Sequence, residues 1–176
     1  MKYPLVSVII VNWNGGEIFR QCLKSLEKID YPKWELIIVD NGSTDGSIDF
    51  FKNFKIKNSG FKIILNKTNV GFAKANNLGF KNSKGKYILL LNNDTKIRVG
   101  FLKYLVRRME KDKNLGAVQP KLKIMDNPKL LDNSGAFLTR SGFLEHWGYL
   151  AKDDGHFDHE KEVFSVKGAC MLIRRS

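Results

Sequence analysis

The apolar run YILLL (87–91) is followed at once by Asn92, Asn93, Asp94 and Thr95. A strand that delivers two amides and a carboxylate together to its carboxyl end can be making a turn, because Asn and Asp favour turns and caps. It can also be presenting oxygen ligands to a hard cation. An ion such as Mg²⁺ uses one or two protein carboxylates and takes its other ligands from phosphates and water, so a lone Asp94 is chemically sufficient. Comparable groups follow three earlier apolar runs: Asn12, Trp13 and Asn14; then Asp40, Asn41, Gly42, Ser43, Thr44 and Asp45; then Asn66, Lys67 and Asn69. Trp13 can stack on a base, and Asp40 with Asn41 can hydrogen-bond one. One such cluster is an ordinary turn; four in succession point to a ligand site.

The elements that must carry these clusters alternate through the first hundred residues. Strands are expected at 5–11, 34–39, 61–65 and 87–91, and helices at 17–28, 47–54, 71–80 and 101–111. The helix at 101–111 turns Leu102, Leu105, Val106 and Met109 inward. Strands that are apolar throughout and alternate with helices indicate βαβ units and a parallel sheet covered on both faces, so the class is α/β. In such sheets ligands bind beyond the carboxyl ends of the strands, where all four clusters lie. A further strand is expected at 117–124. The chain reads as one domain: a donor-side portion over residues 1–122, an irregular segment 123–164 rich in Gly, Asp, His and aromatics, and a returning strand 165–174. An irregular stretch of that length predicts hairpins or a flap rather than a structureless loop.

The 176 residues are 43% hydrophobic and 27% charged, ordinary for a globular domain that buries its own core. Cys22 and Cys170 make no disulfide framework and are expected as reduced, buried thiols. The apolar run near the start is too short to span a bilayer and fits a buried first strand, so a cytoplasmic location is expected. With 30 Lys and Arg against 18 acids the formal charge is +12, a balance that attracts polyanions. No basic block interleaves with aromatics, so a lysine-biased solvated surface is favoured, membrane attraction comes second, and nucleic acid is not an expected partner.

Two nucleotide-binding signatures are absent. The first strand is followed by Gly15-Gly16 and no GxGxxG, and no GxxxxGK[ST] occurs anywhere. The ordered set VSVIIVNWN (6–14), WELIIVDNGSTDGS (34–47), NVGFAKANNLGF (69–80), GKYILLLNNDT (85–95) and SVKGACMLIRRS (165–176) instead resembles the family 2 glycosyltransferases of the GT-A fold. The form NGSTDGS, NVGF and NND, with DNSGAF at 132–137, looks most like the rhamnosyltransferase-like subgroup that builds surface polysaccharides.

That resemblance implies an inverting transfer of a sugar from a nucleoside-diphosphate donor, a UDP- or dTDP-sugar such as dTDP-rhamnose, to a saccharide or lipid-linked hydroxyl acceptor. Lipid-linked acceptors would bring the protein to the inner face of the membrane as a peripheral partner. By position, Val11, Trp13 and Asn14 fall on the base-binding strand end, Asp40 and Asn41 where the family hydrogen-bonds uracil or thymine, and Ser43 in the same loop. Gly71, Asn77 and Gly79 fall on the segment lining the diphosphate and sugar. Asn92, Asn93 and Asp94 fall on the DxD motif, whose last acid, matched by Asp94, holds Mg²⁺ or Mn²⁺. Two departures follow. The first DxD acid is Asn92, which can ligate only through its amide oxygen or a water. The acidic segment that carries the family's general base would follow Ser176, and Glu145, Asp153, Asp154, Asp158, Glu160 and Glu162 match no base motif, most of them being expected to be solvated. His156 and His159 beside those acids raise a second metal site as an alternative to an acceptor-side flap. A non-catalytic nucleotide-sugar-binding module, or an inactive fragment lacking the base, is the competing reading of the whole.

Overall fold

The computed structural model describes residues 3–52, 54 and 60–175. The elements run in the order β1 (Val6–Asn12), α1 (Gly16–Leu26), β2 (Trp34–Asp40), α2 (Asp49–Lys52), β3 (Gly60–Leu65), α3 (Phe72–Lys81), β4 (Tyr87–Leu91), α4 (Phe101–Lys111), β5 (Ala117–Val118), β6 (Leu122–Lys123), β7 (Leu131–Asn133), β8 (Ala136–Leu138), β9 (Leu144–His146) and β10 (Cys170–Arg174). Six of the strands form one sheet in the order β3-β2-β1-β4-β10-β5. β1 to β4 are mutually parallel, and β10 enters antiparallel to both β4 and β5. The class is α/β, with a mostly parallel sheet and helices on both faces.

Both faces are buried because successive side chains of a strand point to opposite sides. Val6, Val8 and Ile10 of β1 join the larger core with Phe19, Leu23 and Leu26 of α1 and Leu102, Leu105 and Met109 of α4. Ile9, between them, faces the other way, into a smaller core with Ile37, Val39 and Ala75 of α3. Each such fully buried aliphatic contributes roughly 1.5–3 kcal/mol. Gly79 belongs to this packing: a Cβ there would stand 2.5 Å from Ile9 Cγ2. Gly79 therefore lets α3 approach the sheet and does not line a ligand cleft, which corrects its expected place.

The strand expected at 117–124 is broken. Pro120 has no N–H to give a ladder, and β5 and β6 separate on either side of it. The expected helix at 47–54 contracts to α2, with residue 53 outside the described residues. The irregular segment is built from short antiparallel pairs, β6 with β7 and β8 with β9. The returning strand is shorter than expected, and only 170–174 enters the sheet.

Two arginines at the end of β10 secure the helices on both faces. Arg174 donates to Met109 O (2.7 Å) in the last turn of α4, to Asp112 O (3.0 Å) and Leu115 O (3.1 Å) beyond it, and to Tyr87 Oη (2.9 Å). Arg175 donates to Gly85 O (3.0 Å) and Ser83 O (3.0 Å) beyond α3. The last carbonyls of a helix have no intrahelical partner and carry its negative dipole end, so a guanidinium fork is well matched to them. Arg174→Met should lower the unfolding free energy by about 2–4 kcal/mol in urea denaturation. Arg174→Lys should recover little of it, because a point charge cannot serve four acceptors in one plane.

Candidate functional site

The strand order reverses between β1 and β4: connections from β1 run outward through β2 and β3, then return to β4 on its other side. A crevice opens at such a switch point, and here its two walls are tied together. Asn93 Nδ2, just past β4, donates to Asn12 Oδ1 at the end of β1 (3.0 Å). Asn12 Nδ2 in turn donates to Asp40 Oδ2 at the end of β2 (2.9 Å) and to Ser43 Oγ (3.1 Å). Gly15 packs on this junction. A Cβ there would meet Asn12 Oδ1 at 2.4 Å and Asn93 Nδ2 at 2.6 Å.

Asp40 is 0% exposed. Its Oδ1 accepts from Gly42 N (3.1 Å) and Ser43 N (2.8 Å), and its Oδ2 from Ser43 Oγ (2.7 Å) and Asn12 Nδ2. Burying a carboxylate without a counter-charge is costly unless donors replace the lost water, and four donors do so. Asp40 thus offers no free oxygen to a base. It folds the loop that follows, in which Gly42 takes a left-handed φ of +77°. Asn41 is also buried, its Oδ1 accepting from Asn66 Nδ2 (2.9 Å) and its Nδ2 donating to Asn69 Oδ1 (3.2 Å). Asn69 Oδ1 also accepts from Gly71 N (2.9 Å), an Asn-x-Gly turn that the spacing of NVGF makes legible. Since Asn41 N donates to Asn12 O (2.7 Å), one network runs from the end of β4 to the start of α3.

On this buried lattice stand the exposed groups. Trp13 is 56% exposed beside Asn14, whose Oδ1 accepts from Thr44 N (2.8 Å) and whose N donates to Ser43 Oγ (2.9 Å). Val11 is half-buried on the α3 side of β1. Gly71 is exposed at the N-cap of α3 with φ +85°, where no side chain caps the helix, and Asn77 is exposed on α3 away from the network. Across the crevice, Gly168 approaches Phe72, and Asn92 N donates to Ala169 O (2.9 Å), so the chain entering β10 closes one flank. Sequence reasoning assigned nothing to Gly15, Phe72 or Gly168; only the fold brings them to the site.

Asp94 is exposed, and its carboxylate makes no hydrogen bond or ion pair among the described residues. No group of three His, Cys, Asp or Glu side chains gathers anywhere among them. One free carboxylate flanked by amides fits a hard cation that shares its remaining ligands with a diphosphate and water, and does not fit a closed structural metal centre. At the alternative site the exposed His156 and His159 face each other (ring centroids 6.3 Å) and meet the Phe157 and Trp147 rings, and no group of three ligating side chains forms there among the described residues. Of the six acids there, five are exposed and Asp153 is half-buried, and three of them meet a cation. Asp153 pairs with Lys121 and Lys123, Asp158 with Lys121, and Glu160 with Arg108 (2.7 Å). Hydrogen bonds from Lys121 and Lys123 hold the Asp153 carboxyl below its usual range.

The profile of the family described as Glycosyl transferase family 2 matches residues 7–176. The chain is 31% identical over 126 residues to the poly-beta-1,6-N-acetyl-D-glucosamine synthase of Staphylococcus epidermidis, covering 72% of this chain and 30% of that protein. Among solved structures it is similar to S. aureus TarS 1–349 in complex with UDP-GlcNAc, with a TM-score of 0.63 and 25% identity over 69% of this chain and 36% of that one. The mannosyltransferase PcManGT from Pyrobaculum calidifontis, in complex with GDP-Man and Mn²⁺, gives a TM-score of 0.65 over 70% of this chain and 37% of that one; at 23% identity the likeness is one of fold. The fold is GT-A. The chain spans less than half the length of each of these proteins.

Two outcomes follow from the site's interior. Gly15→Ala should push Asn12 and Asn93 apart and cost about 1–3 kcal/mol in denaturant unfolding. Cys22 and Cys170 are free and buried, and burial pushes their thiols up to about 11 and about 12. Both thiols should resist iodoacetamide at pH 8 until the protein is unfolded. Being harder to ionise folded than unfolded, they contribute stability that is complete below the ordinary thiol value of 9.0 and is lost as pH rises through 11 and 12.

Proposed function

Because this chain belongs to glycosyl transferase family 2, we propose that its switch-point crevice binds a nucleoside-diphosphate sugar and transfers the sugar, with inversion, to a hydroxyl acceptor. The observation that carries the reading is that the free Asp94 carboxylate and the exposed Trp13 each follow directly on one partner of the Asn93–Asn12 bond. Trp13 stacks on a uracil or thymine ring, with Val11 and Asn14 at its margin. Asp40, Asn41 and Ser43 act beneath the base by holding the loop that faces it. The uncapped start of α3 at Gly71 offers backbone N–H groups to the phosphates, as helix N-termini do, and Asn77 lies further along the same helix toward the sugar. A divalent cation, Mg²⁺ or Mn²⁺, would be held by Asp94, with Asn92 able to ligate through its amide oxygen, and would neutralise charge on the departing diphosphate. The Mn²⁺ and nucleotide sugars named with the structural neighbours support that class of ligand.

The finer donor assignment, dTDP-rhamnose, rests on the form of NGSTDGS and DNSGAF, and polysaccharide or lipid-linked glycan on the cytoplasmic side of a membrane is the acceptor that fits it. Among the described residues no helix is long and apolar enough to cross a membrane. Asp132, Asp153, Asp158 and Glu160 are engaged by Lys167, Lys121, Lys123 and Arg108, and none of them is left as a free proton acceptor. The same engagement favours the second reading, a nucleotide-sugar-binding unit without turnover. A general base contributes a factor of roughly 10²–10⁴, so donor binding is the discriminating assay for the crevice and turnover for the base.

Titration calorimetry with UDP and dTDP should show binding that strengthens with Mn²⁺, and Asp94→Ala should remove the metal-dependent component, a loss of tenfold or more. Failure of both nucleotides to bind with either metal would overturn the reading, and an unchanged Asp94→Ala affinity would overturn the role of that residue. Turnover in a longer chain that includes further acidic residues, with none in residues 1–176, would decide for the external base over the binding unit.

A further inference from the structure

α4 turns its apolar side to the core through Leu102, Leu105, Val106 and Met109. Its opposite side carries Lys103, Arg107 and Lys111 at four-residue spacing, with Tyr104 among them. Residues three and four apart share a helix face, so these four make one outward stripe. None of the three cations is paired with an acid among the described residues. Of the acids in this region, Glu110 is engaged by Lys86 (2.5 Å) and by Tyr87, Asp112 by Arg108 (3.8 Å), and Asp30 accepts from Gly100 N (3.1 Å), while Asp94 at the crevice end stays free. The loop before the helix extends the stripe with Lys96 and Arg98, also exposed and unpaired, and with Val99.

The cations alone would attract any polyanion. The uncharged side chains among them are what select. Tyr104 is 78% exposed, the most exposed large apolar or aromatic side chain among the described residues, and Val99 is 66% exposed. Here an aromatic ring on the helix and an aliphatic group in the loop before it stand outward among the cations. They match a lipid interface, where Tyr sits at headgroup depth and Lys and Arg meet anionic lipid. Nucleic acid would be better served by cations lining a groove with aromatics placed for stacking. We infer that the stripe Lys96, Arg98, Val99, Lys103, Tyr104, Arg107 and Lys111 is a docking surface for an anionic lipid leaflet. The stripe starts two residues after Asp94, so a leaflet seated on it lies beside the crevice. The inference deepens the lipid-linked acceptor reading and draws its purpose, though not its binding chemistry, from that reading.

Flotation of the full chain with vesicles tests this. Binding is expected to phosphatidylcholine vesicles containing phosphatidylglycerol, not to phosphatidylcholine alone, and should weaken as salt is raised. Each surface cation near such a leaflet contributes about fivefold in affinity, so Lys103→Gln/Arg107→Gln/Lys111→Gln should bind roughly 100-fold more weakly. Tyr104→Ser should bind several-fold more weakly. A control of equal charge at the far edge of the sheet and beyond α3, Lys62→Gln/Lys81→Gln/Lys84→Gln, should bind nearly as wild type. An equal loss in the control, no wild-type flotation, or tighter binding to single-stranded RNA than to the vesicles would each overturn the assignment. UDP affinity measured on the same variants should be unchanged. Absence of UDP binding in the wild type would sink the crevice reading while leaving the vesicle result to stand or fall alone.

Discussion

The structure hinges on a buried chain of polar groups at the carboxyl ends of three strands. Asp40, Asn12 and Asn93 belong to β2, β1 and the turn after β4, and each satisfies the next. Water cannot reach Asp40 or Asn12, so every one of these bonds must be made within the protein, and breaking one leaves a buried polar atom without a partner, at a cost of about 1–3 kcal/mol. That requirement locks the register of the strand ends to one another. It also explains why Gly15 has no side chain, since the junction occupies the space one would fill. The crevice is consequently a rigid floor of saturated groups carrying a few unsaturated ones, Trp13, Asp94 and the start of α3. This is the division expected where ligands must be met by groups already in position.

The same logic of satisfied ends recurs at the other end of the sheet. Ser7 Oγ donates to Glu35 Oε1 (2.5 Å) and accepts from Gly85 N (2.8 Å), and Glu35 Oε1 also accepts from Lys84 N (2.7 Å), joining β1, β2 and the approach to β4. Arg174 and Arg175 then close the carbonyl ends of α4 and α3. The sheet is bracketed by polar lattices, and only the one beyond the carboxyl ends leaves a carboxylate free.

Much of this was legible in the sequence, and the exceptions share a cause. β4 and α4 fall where periodicity puts them, because an uninterrupted apolar run and a clean three-and-four spacing each have one interpretation. The clusters at the strand ends were visible as clusters. What could not be read was which of their members would be consumed by one another. Asp40 and Asp94 look alike in sequence, yet one is enclosed by four donors and the other has none; three of the four come from the turn at Gly42 and Ser43 and the fourth from Asn12, distant along the chain. Likewise Asp153 reads as a solvated loop acid until Lys121 and Lys123 are placed beside it by the β6–β7 pair. Gly79 sits in a ligand-lining motif, but Ile9 decides its role.

The antiparallel entry of β10 bears on how the chain acquires its fold. Cys170 pairs with Leu91, so the fifth strand across the sheet is recruited from far along the chain while its neighbours β1 to β4 arise from successive short crossovers. Contacts of such sequence separation form late and slow folding, because loop-closure entropy is spent before they reward it. During synthesis the four parallel strands and their polar junction can assemble first. The carbonyl ends of α3 and α4 stay open to water until Arg174 and Arg175 emerge. The crevice would therefore be outlined before the sheet that supports it is complete, and β10 acts as a latch on a site that already has its shape.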